Sequence, residues 1–216
     1  MKSHKRIFYV VYAADDFVQS TLDAIRFIAD PNEKTRAHVT IKGPYSKART
    51  FRKARHLAEG SEVSVTGVDV FRSSKQNTVF LSIDSPVLKK LFDKPDYPDA
   101  RPHLTIYDGA SLAIADELHQ VLQECNIAFS FTSSTLEPLQ TKKGQSSLEL
   151  RVAYDEALVE EVTGQRVEAD EVPKLSNDVR VRLIAQLCAA LSARQNRVSV
   201  HTVQHCATDN SIRLPH

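Results

Sequence analysis

Tryptophan is absent from this chain of 216 residues, methionine occurs once, and 28 Lys and Arg set against 27 Asp and Glu leave a net charge of only +1. A balanced charge excludes a protein that coats nucleic acid by bulk electrostatics, so any anion site has to be local. The three cysteines, Cys125, Cys188 and Cys206, form neither an even disulfide framework nor a CxxC knuckle. That usage fits a reducing, cytoplasmic setting. His201, His205 and Cys206 sit in a segment that reads as extended, a poor frame for a metal, and neither metal nor cofactor is expected. No apolar run approaches the roughly 18 residues of a membrane span, so no membrane partner is expected. The start, MKSHKRIFYVVYAADD, is basic and then briefly apolar, but it lacks a small-residue cleavage site and reads as a strand.

What is present is enough apolar material, 42% of the chain, for a core of ordinary size. Ile7–Tyr12 reads as a buried strand, and Asp15 or Asp16 can cap a helix that runs to about Ala29 before Pro31. Ala37–Ile41 is a second strand, ended by Gly43-Pro44, and a basic helix follows over Lys47–Ala58. Glu62–Phe71 and Asn77–Ile83 alternate as a hairpin. A short helix over Val87–Phe92 and a proline-rich loop lead to the strand His103–Tyr107, and Ser111 caps a helix to about Glu124. Ile127–Leu136 and Ser147–Tyr154 read as another strand pair across a Thr-Lys-Lys-Gly turn.

The order of elements is informative. Each half holds a histidine-bearing strand, a helix and then a strand pair, an internal repeat of architecture. The expected fold is α+β, a two-lobed duplicated module with antiparallel sheets and outer helices flanking a central groove. This places one domain at residues 1–155. Residues 156–216 read as an extension: an acidic linker to about Leu175, an amphipathic helix over Asn177–Ala193, and a possible last strand over Arg197–Gln204. The apolar stripe Val179–Leu191 offers a face for self-association or partner docking.

Two strands share one tetrapeptide pattern, His38-Val39-Thr40-Ile41 and His103-Leu104-Thr105-Ile106. Residues i and i+2 of a strand face the same way, so each His projects with its Thr while the apolar partners turn to the opposite face. Histidine titrates near neutrality, so one imidazole can accept a proton from an attacking water or hydroxyl while the other donates to the leaving oxygen. Threonine hydroxyls can donate to the non-bridging oxygens of a phosphoryl group. The chemistry expected of His38, Thr40, His103 and Thr105 is therefore phosphodiester cleavage without a metal. Which histidine is acid and which is base stays open at this point.

Alternation also puts Lys42 on the His38 face and Arg101 on the His103 face, as candidate phosphate contacts. Tyr45 and Tyr107 follow the motif strands closely and are candidates for stacking on a base. Lys47, Arg49, Arg52, Lys53 and Arg55 crowd the basic helix, more simply a solvated face than a backbone-binding groove.

The paired motifs, 65 residues apart, together with the flanking Arg36-Ala37-His38-Val39-Thr40-Ile41-Lys42-Gly43-Pro44-Tyr45 and Arg101-Pro102-His103-Leu104-Thr105-Ile106-Tyr107, resemble the 2H phosphoesterase superfamily. That superfamily includes the 2′-5′ RNA ligase-like proteins, also described as RNA 2′,3′-cyclic phosphodiesterases. The resemblance covers about residues 5–155. It implies a phosphoric diester hydrolase acting on 2′,3′-cyclic phosphate or 2′-5′ bonds in RNA or small nucleotides. His38 and His103 would be the acid–base pair, with Thr40 and Thr105 on the phosphate. Cyclic oligonucleotide signals and ADP-ribose cyclic phosphate suit the same four residues, and a non-catalytic RNA- or nucleotide-binding module is the rival from another class.

Overall fold

The computed structural model describes residues 6–33, 35–93, 101–141 and 148–208, with side chains described for all of these except 141, 148, 149 and 195–208. Seven strands form one antiparallel sheet in the order β6-β3-β4-β5-β2-β1-β7. They are β1 (Arg6–Val11), β2 (Val39–Tyr45), β3 (Glu62–Arg72), β4 (Asn77–Asp84), β5 (His103–Gly109), β6 (Phe129–Thr132) and β7 (Glu137–Thr141). The helices are α1 (Asp16–Ala29), α2 (Arg52–Ala58), α3 (Pro86–Leu91), α4 (Leu112–Glu124), α5 (Leu148–Ala153), α6 (Glu156–Thr163) and α7 (Asn177–Thr208). Among the described residues no helix is long and apolar enough to cross a membrane.

Local chemistry explains most boundaries. The Asp15 carboxylate accepts the Val18 N–H at 2.9 Å and starts α1, and Ser85 and Ser111 hydroxyls do the same for α3 and α4. Val39, Ile41, Leu81, Leu104 and Ile106 turn to one face of the sheet and are buried there with Leu22, Ile25 and Ile28 of α1 and Leu118 and Leu122 of α4. Alternate residues on the other face are half-buried, and that is the face of His38, Thr40, His103 and Thr105.

Several expectations are corrected. The two sheets are one, although β2 and β5 at its centre share a single register pair, Val39↔Leu104. The strand expected at Ser147–Tyr154 is the helix α5. The strand expected over Ile127–Leu136 is the shorter β6, which pairs with β3, and β7 follows from Glu137 on the opposite edge, paired with β1. Gly43-Pro44 does not end β2: the strand runs on to Tyr45 through a register shift against β1. Gly43 is needed there, because its φ is +106° and a Cβ would sit 2.7 Å from the Ile7 carbonyl oxygen. The basic helix is shorter than expected and begins at Arg52.

The segment read as a loose linker holds α6 and a 3₁₀ turn over Val172–Lys174, and it buries Leu158, Val159, Val167 and Val172. The end of the chain is helical across Arg197–Gln204, where a strand was expected. α7 packs on α1, α4 and α6. Val181, Ile184, Leu187 and Leu191 are buried by those contacts, so the stripe offered for docking is part of the chain's own core.

Candidate active site

The central register decides how the four motif residues meet. With Val39 opposite Leu104 in an antiparallel pair, the next positions either way set His38 across from Thr105 and Thr40 across from His103. The two His–Thr pairs therefore form a two-by-two array on one face. On the outer sides, Thr40 pairs with Val10 of β1, and Thr105 and His103 pair with Phe80 and Ser82 of β4.

Both imidazoles are held by the same device. His38 Nδ1 lies 2.6 Å from the Arg36 carbonyl oxygen, and His103 Nδ1 lies 2.7 Å from the Arg101 carbonyl oxygen. A carbonyl oxygen only accepts, so each Nδ1 carries a proton and donates it. Nε2 is then the variable nitrogen on each ring, a proton acceptor when neutral and a donor when charged. Neither threonine hydroxyl is taken up in a hydrogen bond with another described residue.

The sequence reading missed the residues that brace this array. Asp23 on α1 is fully buried; its carboxylate accepts the Ala37 N–H at 2.7 Å and the Arg36 Nε–H at 2.8 Å, fixing the peptide whose carbonyl holds His38. Burial pushes the Asp23 carboxyl up despite the opposing pull of Arg36. Arg26, one turn on, is also buried. It donates to the Thr35 carbonyl at 2.9 Å and to the Thr105 carbonyl at 2.6 Å, and pairs with Glu33 at 3.2 Å. One guanidinium thus ties the approach to β2 to the middle of β5. A signal was there to read: two charges, Asp23 and Arg26, three residues apart within the apolar run of α1.

The surroundings push the His38 imidazole down to about 4, first through burial and then through the positive charge of Arg26. His38 is half-buried. A neutral His38 at neutral pH is in the form a general base needs.

The four candidate binding residues divide. Lys42 lies on the Thr40 face, with Nζ 5.2 Å from the Phe51 ring centroid. Arg101 is exposed and lines a cavity together with Phe71, Phe80 and Pro102. Tyr45 is buried, with its hydroxyl donating to the Asp93 carboxylate at 3.0 Å and the Arg49 guanidinium 4.2 Å over its ring. Burial, and then Asp93, push the Tyr45 phenol up to about 12. Tyr107 is turned over by an irregularity in β5: Phe80 pairs with Thr105, but Val79 pairs with Tyr107. That extra residue moves Tyr107 to the face of buried Val79, where its hydroxyl accepts the Ser111 N–H at 3.2 Å. Both tyrosines are buried in the core.

The aromatics that do reach the histidines are others. Tyr12 stands edge-on to His38 at 6.4 Å between centroids. Phe80 lies 4.8 Å and Phe71 5.6 Å from His103. Among the described residues no cluster of His, Cys, Asp and Glu could hold a metal ion; the His201, His205 and Cys206 side chains lie outside that description. No protein-family model matches the chain, and no curated protein matches it either.

Proposed function

We propose that the chain is a metal-independent phosphodiesterase of the 2H type, acting on 2′,3′-cyclic phosphate or 2′-5′ phosphodiester bonds of RNA or small nucleotides. The observation that carries this reading is the central array: two His–Thr pairs on one face, each imidazole donating Nδ1–H to the carbonyl two residues before it. The halves around the seam, β1–α1–β2 and β4–α3–β5, support a duplicated two-lobed module in which each lobe supplies one pair.

In this mechanism a cyclic phosphate sits between the pairs, with its non-bridging oxygens on the Thr40 and Thr105 hydroxyls. His38 Nε2 takes a proton from water as the water oxygen bonds to phosphorus. The bond from phosphorus to one ribose oxygen breaks, and that oxygen takes the Nε2 proton of His103. Threonine donors count because negative charge grows on the phosphoryl oxygens in the transition state. The low proton affinity of His38 supports its role as base and leaves the acid role to His103.

The test is a screen of nucleoside 2′,3′-cyclic phosphates, 2′-5′ dinucleotides, cyclic dinucleotides and ADP-ribose cyclic phosphate, with products identified by mass spectrometry. His38→Ala and His103→Ala are each expected to lower kcat by about 10³-fold or more. EDTA is expected to leave the rate unchanged. Near-wild-type turnover by either variant would sink the mechanism, and affinity without product would favour a binding module.

A further inference from the structure

A cavity of about 340 Å³ is lined in part by Arg101 and Pro102, the two residues before His103, a volume in the range of small-ligand sites. Its walls include Thr66, Phe71, Phe80, Ser82 and Arg101. Phe71 is 48% exposed, the one exposed aromatic among the described residues. A lone exposed phenylalanine would need no explanation, but this one is held in place. Phe71 of β3 pairs with Thr78 and is the diagonal neighbour of Phe80 on the open face of the hairpin. The two rings stack with centroids 4.4 Å apart and planes inclined by 25°. Phe80 is buried and in turn touches His103. The result is an aromatic shelf that ends at the imidazole, with the outer ring left open to the cavity.

The chemistry of the neighbouring histidine says which part of a substrate belongs there. A group that donates a proton to the leaving oxygen has to stand on the side of the nucleoside carrying that oxygen. We infer that Phe71, backed by Phe80, is the stacking platform for the nucleobase of the nucleoside whose ribose oxygen leaves, so that the preferred substrate class is a base-bearing 2′,3′-cyclic phosphate rather than a cyclic phosphate of a bare sugar. This rests on the phosphodiesterase reading for the identity of the reaction, but its recognition step can be measured without turnover. Stacking tolerates every base, because each has a π-face. The platform therefore selects for a base without choosing among bases.

The experiment compares nucleoside 2′,3′-cyclic phosphates with methyl riboside 2′,3′-cyclic phosphate in kinetics. In parallel, calorimetry compares 2′- and 3′-nucleoside monophosphates with the corresponding base-free ribose phosphates. Wild type is expected to prefer the base-bearing probe by about 10- to 100-fold in KM and Kd, the span of one base–aromatic stack. Phe71→Ala and Phe71→Leu are expected to abolish that gap, and Phe71→Trp to keep or widen it. Phe71→Leu retains the apolar bulk and so separates loss of the π-face from loss of packing. Equal binding of both probe classes by wild type, or a gap that survives in folded Phe71→Leu, would overturn the platform even if His38→Ala abolished turnover. Base-dependent binding that Phe71→Leu removes, in a protein with no turnover of any probe, would keep the platform and overturn the phosphodiesterase reading.

Discussion

The two sides of the β2–β5 seam carry the same motif in different settings. On the His38 side the carbonyl that holds the imidazole is fixed by polar bonds, because Ala37 has an N–H that must be satisfied and Asp23 satisfies it. On the His103 side the corresponding residue is Pro102, buried and without an N–H to place. Beneath His38 lies the Arg26 guanidinium, whereas beside His103 lie two phenyl rings. Identical side chains thus stand in different surroundings, with burial and a nearby guanidinium holding the His38 imidazole down and two phenyl rings beside His103.

That comparison can be broken at its most symmetric point. Thr40→Val and Thr105→Val remove equivalent hydroxyls without removing volume. Each is expected to lower kcat by about 10²-fold, the usual cost of one lost donor to a developing oxyanion. Steady-state kinetics on the substrate found by the screen measure both. Comparable losses place the phosphate between the two His–Thr pairs; a full loss in one and none in the other would put it against a single strand.

Arg26 tests the asymmetry. Arg26→Met removes the positive charge near His38 and breaks the ion pair with Glu33, whose carboxylate keeps its bonds from Thr35. Stability is expected to fall by about 3 kcal/mol, the lower end for breaking a buried ion pair because Glu33 keeps some solvent contact. Denaturant melts measure it. The pH dependence has a definite sign. His38 is held neutral in the fold, so between pH of about 6.5 and about 4 the unfolded chain binds the extra proton. The stability tied to His38 is complete above that window and is lost as pH falls through it. The acid limb of kcat/KM is expected near pH 4 in the wild type. Loss of Arg26 should move it part of the way toward 6.5, since burial still acts. An acid limb that stays put in Arg26→Met would remove Arg26 as a cause.

What the sequence disclosed about this site follows from range. His38, Thr40, His103 and Thr105 were legible because alternation within a strand is local and strict. Tyr107 was not, because one extra residue in β5 against β4 inverts everything beyond it, and only the partner strand reveals the shift. The partners of β6 and β7 were equally hidden. The strand over Ile127–Leu136 was expected to pair with Ser147–Tyr154, but β6 and β7 each find their partner more than fifty residues earlier in the chain, β6 at Glu62–Val65 and β7 at Arg6–Val10. α7 announced its apolar face truthfully, and only the fold could say that α1, α4 and α6 cover it. Asp23 and Arg26 were visible as charges in an apolar helix, but their partners at Ala37 and Thr105 are tertiary.

The smallest effects probe the two ways of holding an imidazole. Asp23→Asn keeps an acceptor for the Ala37 N–H but turns an amide toward Arg36, whose side chain is 44% exposed and can find water. A loss of about 1–3 kcal/mol in stability is expected from the disturbed buried network, with a rate loss of about tenfold as the Arg36 side chain next to the His38 support loses its carboxylate. Pro102→Ala on the other side frees one backbone angle, for about 0.4–1 kcal/mol and a smaller change in rate. Chemical denaturation and kcat of both variants measure the pair. The ranking follows from the physics of the two supports. A carboxylate shared by a backbone N–H and a guanidinium is coupled to α1, so its loss spreads beyond one peptide. A proline ring acts on a single bond, and β5 continues to hold His103 against Ser82 without it. If Pro102→Ala proved the more costly for the rate, the rigidity of the Arg101 carbonyl, and not the bracing from α1, would be what sets imidazole orientation in this fold.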